Sequence, residues 1–101
     1  MQKPFQYQFE WDPAKAQRNL KKHGISFERG ATVFLDPEAL SEFDEEHSQK
    51  EDRWITLGLD WTGTLLVVCY TYREEMEASA RIRLISARKA TKNEAKQYER
   101  K

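Results

Sequence analysis

Six successive apolar residues, Leu65-Leu66-Val67-Val68-Cys69-Tyr70, leave neither face of an extended segment for water. A strand that is apolar on both faces has to be covered on both, so this stretch belongs in the middle of a sheet. Its flanks supply the neighbours. Arg53 to Leu59 reads as a strand, and Asp60-Trp61-Thr62-Gly63 is a tight-turn sequence leading into the strand from Thr64 to Tyr72. The polar stretch Arg73 to Glu77 reads as the next turn. Beyond it, the two-residue period places Ala80, Ile82, Leu84 and Ser86 on one face and Arg81, Arg83, Ile85 and Ala87 on the other, with Arg88 at the strand's end.

The first half is punctuated by caps. Phe5, Tyr7, Phe9 and Trp11 alternate with Gln6, Gln8 and Glu10, the pattern of a half-buried strand. Asp12-Pro13 pairs an N-cap acceptor with proline at the first helical position, and Gly24 stops that helix after His23. Ser26 can cap a second, short helix running through Phe34. Ala39, Leu40 and Phe43 suggest a brief strand, and Asp44 to Glu51 has no apolar period and reads as a loop. Thr91 and Glu94 match a capping box that opens a C-terminal helix to about Arg100. The expected architecture is a single α+β domain over residues 1–101: a compact antiparallel sheet with two N-terminal helices on one face and one C-terminal helix.

Charge narrows the function classes. The chain carries 17 basic and 17 acidic side chains, a formal net charge of zero, which argues against a general polyanion binder. The charges are segregated, however. From Asp36 to Asp52 there are eight acids against Lys50, and from Arg81 to Lys101 eight bases against Glu94 and Glu99. No apolar run approaches the length that spans a bilayer, and the N-terminus lacks the hydrophobic segment of a secretion signal. The lone Cys69 permits no intrachain disulfide, so a reducing cytoplasm is the expected compartment.

Few chemistries find their residues here. His23, His47 and Cys69 share no metal-ligand spacing, no glycine-rich phosphate loop exists, and Ser86 has no nucleophile-elbow sequence around it. Neither a metal nor a cofactor is expected. Arginines, a histidine, Lys22 and Tyr98 remain. Metal-free RNA cleavage needs a group to activate the 2′-hydroxyl, a proton for the leaving oxygen and cations for the charge that builds on phosphate. Histidine and arginine suit those roles.

Four blocks carry a resemblance to a known family. They are Phe9-Glu10-Trp11-Asp12-Pro13-Ala14-Lys15-Ala16; Asn19-Leu20-Lys21-Lys22-His23-Gly24-Ile25-Ser26-Phe27; Glu51-Asp52-Arg53-Trp54-Ile55-Thr56-Leu57-Gly58; and Ile82-Arg83-Leu84-Ile85-Ser86-Ala87-Arg88-Lys89-Ala90-Thr91, with Glu94 and Tyr98 following. In this order and spacing the chain resembles the BrnT toxins of type II toxin–antitoxin systems over nearly its whole length. The resemblance implies a RelE-like fold, RNA cleavage that stops translation and growth, and neutralisation by a cognate BrnA antitoxin that alone contacts operator DNA. It also implies site residues: His23 as acid or base, Arg53 and Arg83 as catalytic cations, and Lys22, Arg88 and Tyr98 as substrate contacts.

Each assignment has a structural alternative. His23 and Lys22 suit the C-terminal end of the first helix dipole, Arg88 could pair with an acid of the 36–52 region, and Tyr98 could simply clamp the last helix to the sheet. For the whole chain, the rival reading is a non-catalytic protein-binding module on the same scaffold. Direct DNA binding is disfavoured, because no helix carries a basic, base-reading face.

Overall fold

The computed structural model describes residues 5–100. Strand β1 (Gln6–Glu10) leads into helix α1 (Pro13–His23) and the short α2 (Phe27–Ala31), which runs on as a 3-10 turn over Thr32–Leu35. Strands β2 (Leu40–Phe43), β3 (Arg53–Leu59), β4 (Leu65–Met76) and β5 (Ser79–Lys89) follow, and α3 (Lys92–Glu99) ends the chain's described part. The caps sit where local chemistry demands. Asp12 accepts from the Ala14 amide, Ser26 from the Arg29 amide, and Thr91 and Glu94 bond reciprocally. Gly24 ends α1 at φ 73°, a left-handed conformation that glycine adopts without penalty.

The sheet order is β1-β5-β4-β3-β2, so β4 is central, as its apolar run requires. Strands β2 to β5 form an antiparallel meander. Strand β1 joins the far edge parallel to β5, which makes the sheet mixed. Its residues stay exposed rather than half-buried, because the strand has one neighbour only; Tyr7 and Phe9 lean on Phe34, with ring centroids 5.7 and 5.4 Å away. Of the expected turn at Arg73 to Glu77, Arg73 to Met76 is instead the end of β4, and the turn is made by Glu77 and Ala78. Arg73 pairs with Arg81 across the ladder, and Glu75 bridges both guanidiniums.

The core lies between one sheet face and the N-terminal helices: Ile25, Phe27, Val33, Leu66, Val68, Tyr70, Ile82, Leu84 and Ala87. Gly30 of α2 lies so close to β5 that an added Cβ would stand 3.1 Å from that of Ala87. Helix α3 packs across β3.

A bulge in β5 decides which side chains face out. Cys69 pairs with Ser86 but Tyr70 pairs with Leu84, leaving Ile85 as an extra residue. Strict alternation put Ser86 inward and Ala87 outward; the bulge exchanges them, and Ala87 is fully buried. The same shift turns Arg88, which alternation would align with Ile82 and Leu84, onto the face that carries Arg81 and Arg83.

Past Arg83, β1 no longer covers the outer edge of β5. The buried side chain of Asn19 stands in for the missing strand. Its amide donates to the Ala87 and Ile25 carbonyls at 2.8 and 2.9 Å and accepts from the Ala87 N–H at 3.1 Å.

Candidate active site

The open face of the sheet is organised in rows set by strand register. Arg53 of β3 lies opposite Thr71 of β4, Thr71 opposite Arg83 of β5, and Arg83 beside Glu10 of β1. These side chains project from one face. Two strand spacings put the backbones of Arg53 and Arg83 about 10 Å apart, a gap that two long guanidinium side chains can close around one phosphodiester. Arg88 stands on the same face opposite Val67, four β4 residues from Thr71, or about 13 Å along the strand.

The arginines differ in their partners. Arg83 donates to Glu51 at 2.5 Å, and both side chains are about half exposed. The Arg53 guanidinium has no carboxylate partner among the described residues, although its backbone is firmly held. Arg81 is engaged by Glu75 and Glu10. Arg88 grips Glu94 of α3 through two parallel bonds of 2.9 Å, and that carboxylate also completes the α3 capping box. The acid that Arg88 takes therefore comes from the C-terminal helix and not from the 36–52 region.

That clamp has a pH signature. The Arg88 guanidinium holds the Glu94 carboxyl down to about 2, from an ordinary 4.5. A depressed carboxyl stabilises the fold above its unfolded value, so this contribution is full above pH 4.5 and drains away as pH falls towards 2. The pair is partly exposed, so solvent screening leaves about 1 kcal/mol of it. Glu94→Gln is expected to lower stability by that amount at neutral pH and to flatten the acid decline, as read by thermal melts through this range.

Beside the Arg53–Arg83 row, the acidic loop is folded back on itself. The Asp44 amide donates to the Arg53 carbonyl at 2.8 Å, Ser48 Oγ accepts from the Arg53 amide at 2.9 Å, and the same hydroxyl donates to the Asp44 carbonyl at 2.6 Å. This stitching shapes a concavity of about 330 Å³ lined by Glu46, His47, Gln49, Lys50, Glu51 and Arg53. A second groove, of about 560 Å³, runs between α3 and the sheet, with Ile55, Leu57, Val67 and Cys69 below and Arg88, Glu94 and Gln97 at its rim.

The other expected site residues lie elsewhere. Lys22 and His23 end α1, the helix that packs Ala16 on the core and ties Asn19 to the edge of β5 at Ala87. Among the described residues, no hydrogen bond or ion pair joins either of them to Arg53, Arg83 or Arg88. Tyr98 donates to Asp36 Oδ2 at 2.7 Å, and that carboxylate pushes the phenol up to about 12. The same oxygen accepts from the Leu59 amide at 2.9 Å, so Tyr98 ties α3 to the segment before β2. Two residues absent from the sequence expectation, His47 and Glu51, line the concavity. The sequence signal for Glu51 is that it opens the Glu51-Asp52-Arg53-Trp54 block, and for His47 only that it lies four residues before that block. No group of three or more His, Cys, Asp or Glu side chains arranged to hold a metal ion occurs among the described residues.

Comparison with known proteins adds the family. The model for "Ribonuclease toxin, BrnT, of type II toxin-antitoxin system" matches residues 11–94, which takes in α1, the acidic loop, the arginine rows and the start of α3. The chain belongs to the BrnT toxin family. Its fold is that of the Brucella abortus ribonuclease toxin BrnT, with a TM-score of 0.55, 24% sequence identity, and coverage of 81% of this chain and 94% of that one. No curated protein matches it. As a BrnT toxin, the chain has RNA as its substrate class and an antitoxin as its partner class. No helix among the described residues is long and apolar enough to cross a membrane.

Proposed function

We propose that residues 1–101 act as one toxin endoribonuclease domain. It cleaves RNA without a metal ion, by attack of a 2′-hydroxyl on the neighbouring phosphate, and so halts translation and growth in the cytoplasm. A BrnA-type antitoxin neutralises it, and operator DNA is reached only through that partner. The observation that carries this reading is the row Arg53–Thr71–Arg83 on the open face of the sheet. Two guanidiniums reaching one phosphate can stabilise the extra negative charge of a pentacoordinate transition state in place of a metal ion.

The direct test incubates the purified chain with RNA in the presence of EDTA. Fragments ending in 2′,3′-cyclic phosphate are the expected products, at a rate the chelator leaves unchanged. Loss of cleavage in EDTA contradicts metal independence.

Glu51 competes with substrate in this scheme, since its carboxylate already occupies Arg83. Glu51→Gln is expected to lower the KM for RNA by up to about fivefold, the worth of one exposed ion pair. A raised KM would mean that Glu51 helps to bind substrate. One observation favours the non-catalytic alternative: Arg81, Arg83 and Arg88 each hold a carboxylate of the chain itself. A protein-binding module on this scaffold would show no RNA cleavage in the same assay.

A further inference from the structure

We infer that His47, oriented by Asp44, is the general base of the cleavage reaction. The inference rests on the ribonuclease reading and names the group that takes the 2′-hydroxyl proton. His47 Nδ1 lies 2.9 Å from Asp44 Oδ2. An ionised carboxylate can only accept, so Nδ1 carries the hydrogen of that bond and Nε2 of the neutral ring is left with its lone pair. The Asp44 carboxylate is half-buried, with 19% of its side chain exposed, whereas the His47 ring is 59% exposed. A half-buried acid fixing the tautomer of an accessible imidazole is the arrangement that prepares a ring nitrogen to accept a proton.

Placement favours His47 over His23. The backbone bond from Asp44 to Arg53 and the bonds of the Ser48 hydroxyl to both residues hold the His47 turn against the start of β3. His47 and Arg53 therefore line one concavity, and Glu51 of the same concavity reaches Arg83. In the inferred complex, a phosphodiester between the two arginines directs its 2′-hydroxyl towards that concavity.

The step balances without a further reagent. Nε2 takes the proton of the 2′-hydroxyl, and the 2′-oxygen forms a bond to phosphorus. The bond from phosphorus to the 5′-oxygen breaks, and that oxygen takes a proton from water. The products are a 2′,3′-cyclic phosphate and a 5′-hydroxyl, and the imidazolium returns its proton to solvent. Asp44, which touches only the ring, is a positioning residue.

The test measures cleavage of a mixed-sequence RNA oligonucleotide by the full chain and by His47→Ala, His47→Gln, Asp44→Asn and Arg83→Ala, across pH 5 to 9. His47→Ala is expected to lower kcat by about 10²- to 10⁴-fold with KM within about twofold. It also removes the acid limb of the pH profile, and added imidazole restores part of the rate. Asp44→Asn is expected to lower kcat by about tenfold or more. Asp44 bonds the ring, and the charged Glu46, Lys50, Glu51 and Arg53 line the same concavity; all are present in both proteins, so the limb that disappears with the ring belongs to the ring. Because the ring is largely exposed, thermal melts of His47→Gln should match the wild type.

A His47→Ala enzyme that cleaves within about threefold of the wild type overturns the base assignment. If Arg83→Ala is then impaired, the ribonuclease reading stands without it. A wild-type chain that leaves RNA intact overturns the ribonuclease reading and the base together.

Discussion

Arg83→Ala is expected to lower kcat for RNA cleavage by about 10²- to 10³-fold, with little change in thermal stability. The expected loss follows from removing one donor that meets developing negative charge, worth about 3 kcal/mol. Its small structural cost follows from the partner. Arg83 and Glu51 are both about half exposed, and an ion pair of that kind is worth about 1 kcal/mol at most. Activity and stability therefore separate at this position. Arg53→Ala is expected to act likewise. The double variant should lose less than the sum of the two, because both guanidiniums serve one phosphoryl group. Arg83→Lys should recover only part of the rate, since an ammonium offers no planar fork. A fully active Arg83→Ala enzyme would move the site off this face.

Asn19→Ala is expected to have the largest effect on the fold itself. The substitution strands the Ala87 N–H, the Ala87 carbonyl and the Ile25 carbonyl in the interior, where no strand covers the β5 edge. Each unsatisfied buried group costs about 1 kcal/mol or more, so the total loss is about 3 kcal/mol. For a domain of this size that lowers the melting temperature by about 15 °C. The edge that opens is the one beside the bulge that turns Arg88 outwards, so the Arg88–Glu94 clamp on α3 should weaken with it. Urea unfolding measures the loss directly, as a shifted midpoint at unchanged slope. A loss below about 0.5 kcal/mol would mean that water satisfies those groups.

The sequence is most legible where cause and effect lie within one turn of chain. Asp12, Gly24, Ser26 and the Thr91–Glu94 box announce the helix ends because each cap bonds to a backbone group a few residues away. The run from Leu65 to Tyr70 announces the central strand because burial on both faces has no other solution. What alternation cannot reveal depends on a partner strand. The extra residue at Ile85 arises from the register against Cys69 and Tyr70, and it reverses Ser86 and Ala87. Arg73 to Glu77 reads as a turn until Glu75 bridges Arg73 and Arg81 and the polar end of β4, to Met76, becomes a ladder.

The candidate site follows the same rule. Arg53 and Arg83 stand out as residue types, but only register places them in one row. His47 lies in a stretch with no apolar period, and its significance depends on the Asp44 amide donating to the Arg53 carbonyl and the Arg53 amide donating to Ser48 Oγ. Lys22 and His23 stand beside a glycine in a family block. The physics visible at that position is the end of a helix dipole.

The most direct measurement of the site's location is an arginine side-chain NMR titration. The chain is titrated with a 2′-O-methyl RNA oligonucleotide, which carries the phosphates but cannot be cleaved. The Nε–Hε resonances of Arg53 and Arg83 are expected to shift together over one saturable curve, with the α1 residues Lys22 and His23 unaffected. Shifts confined to the Lys22–His23 end of α1, with Arg53 and Arg83 unmoved, would contradict an active site on the open face of the sheet.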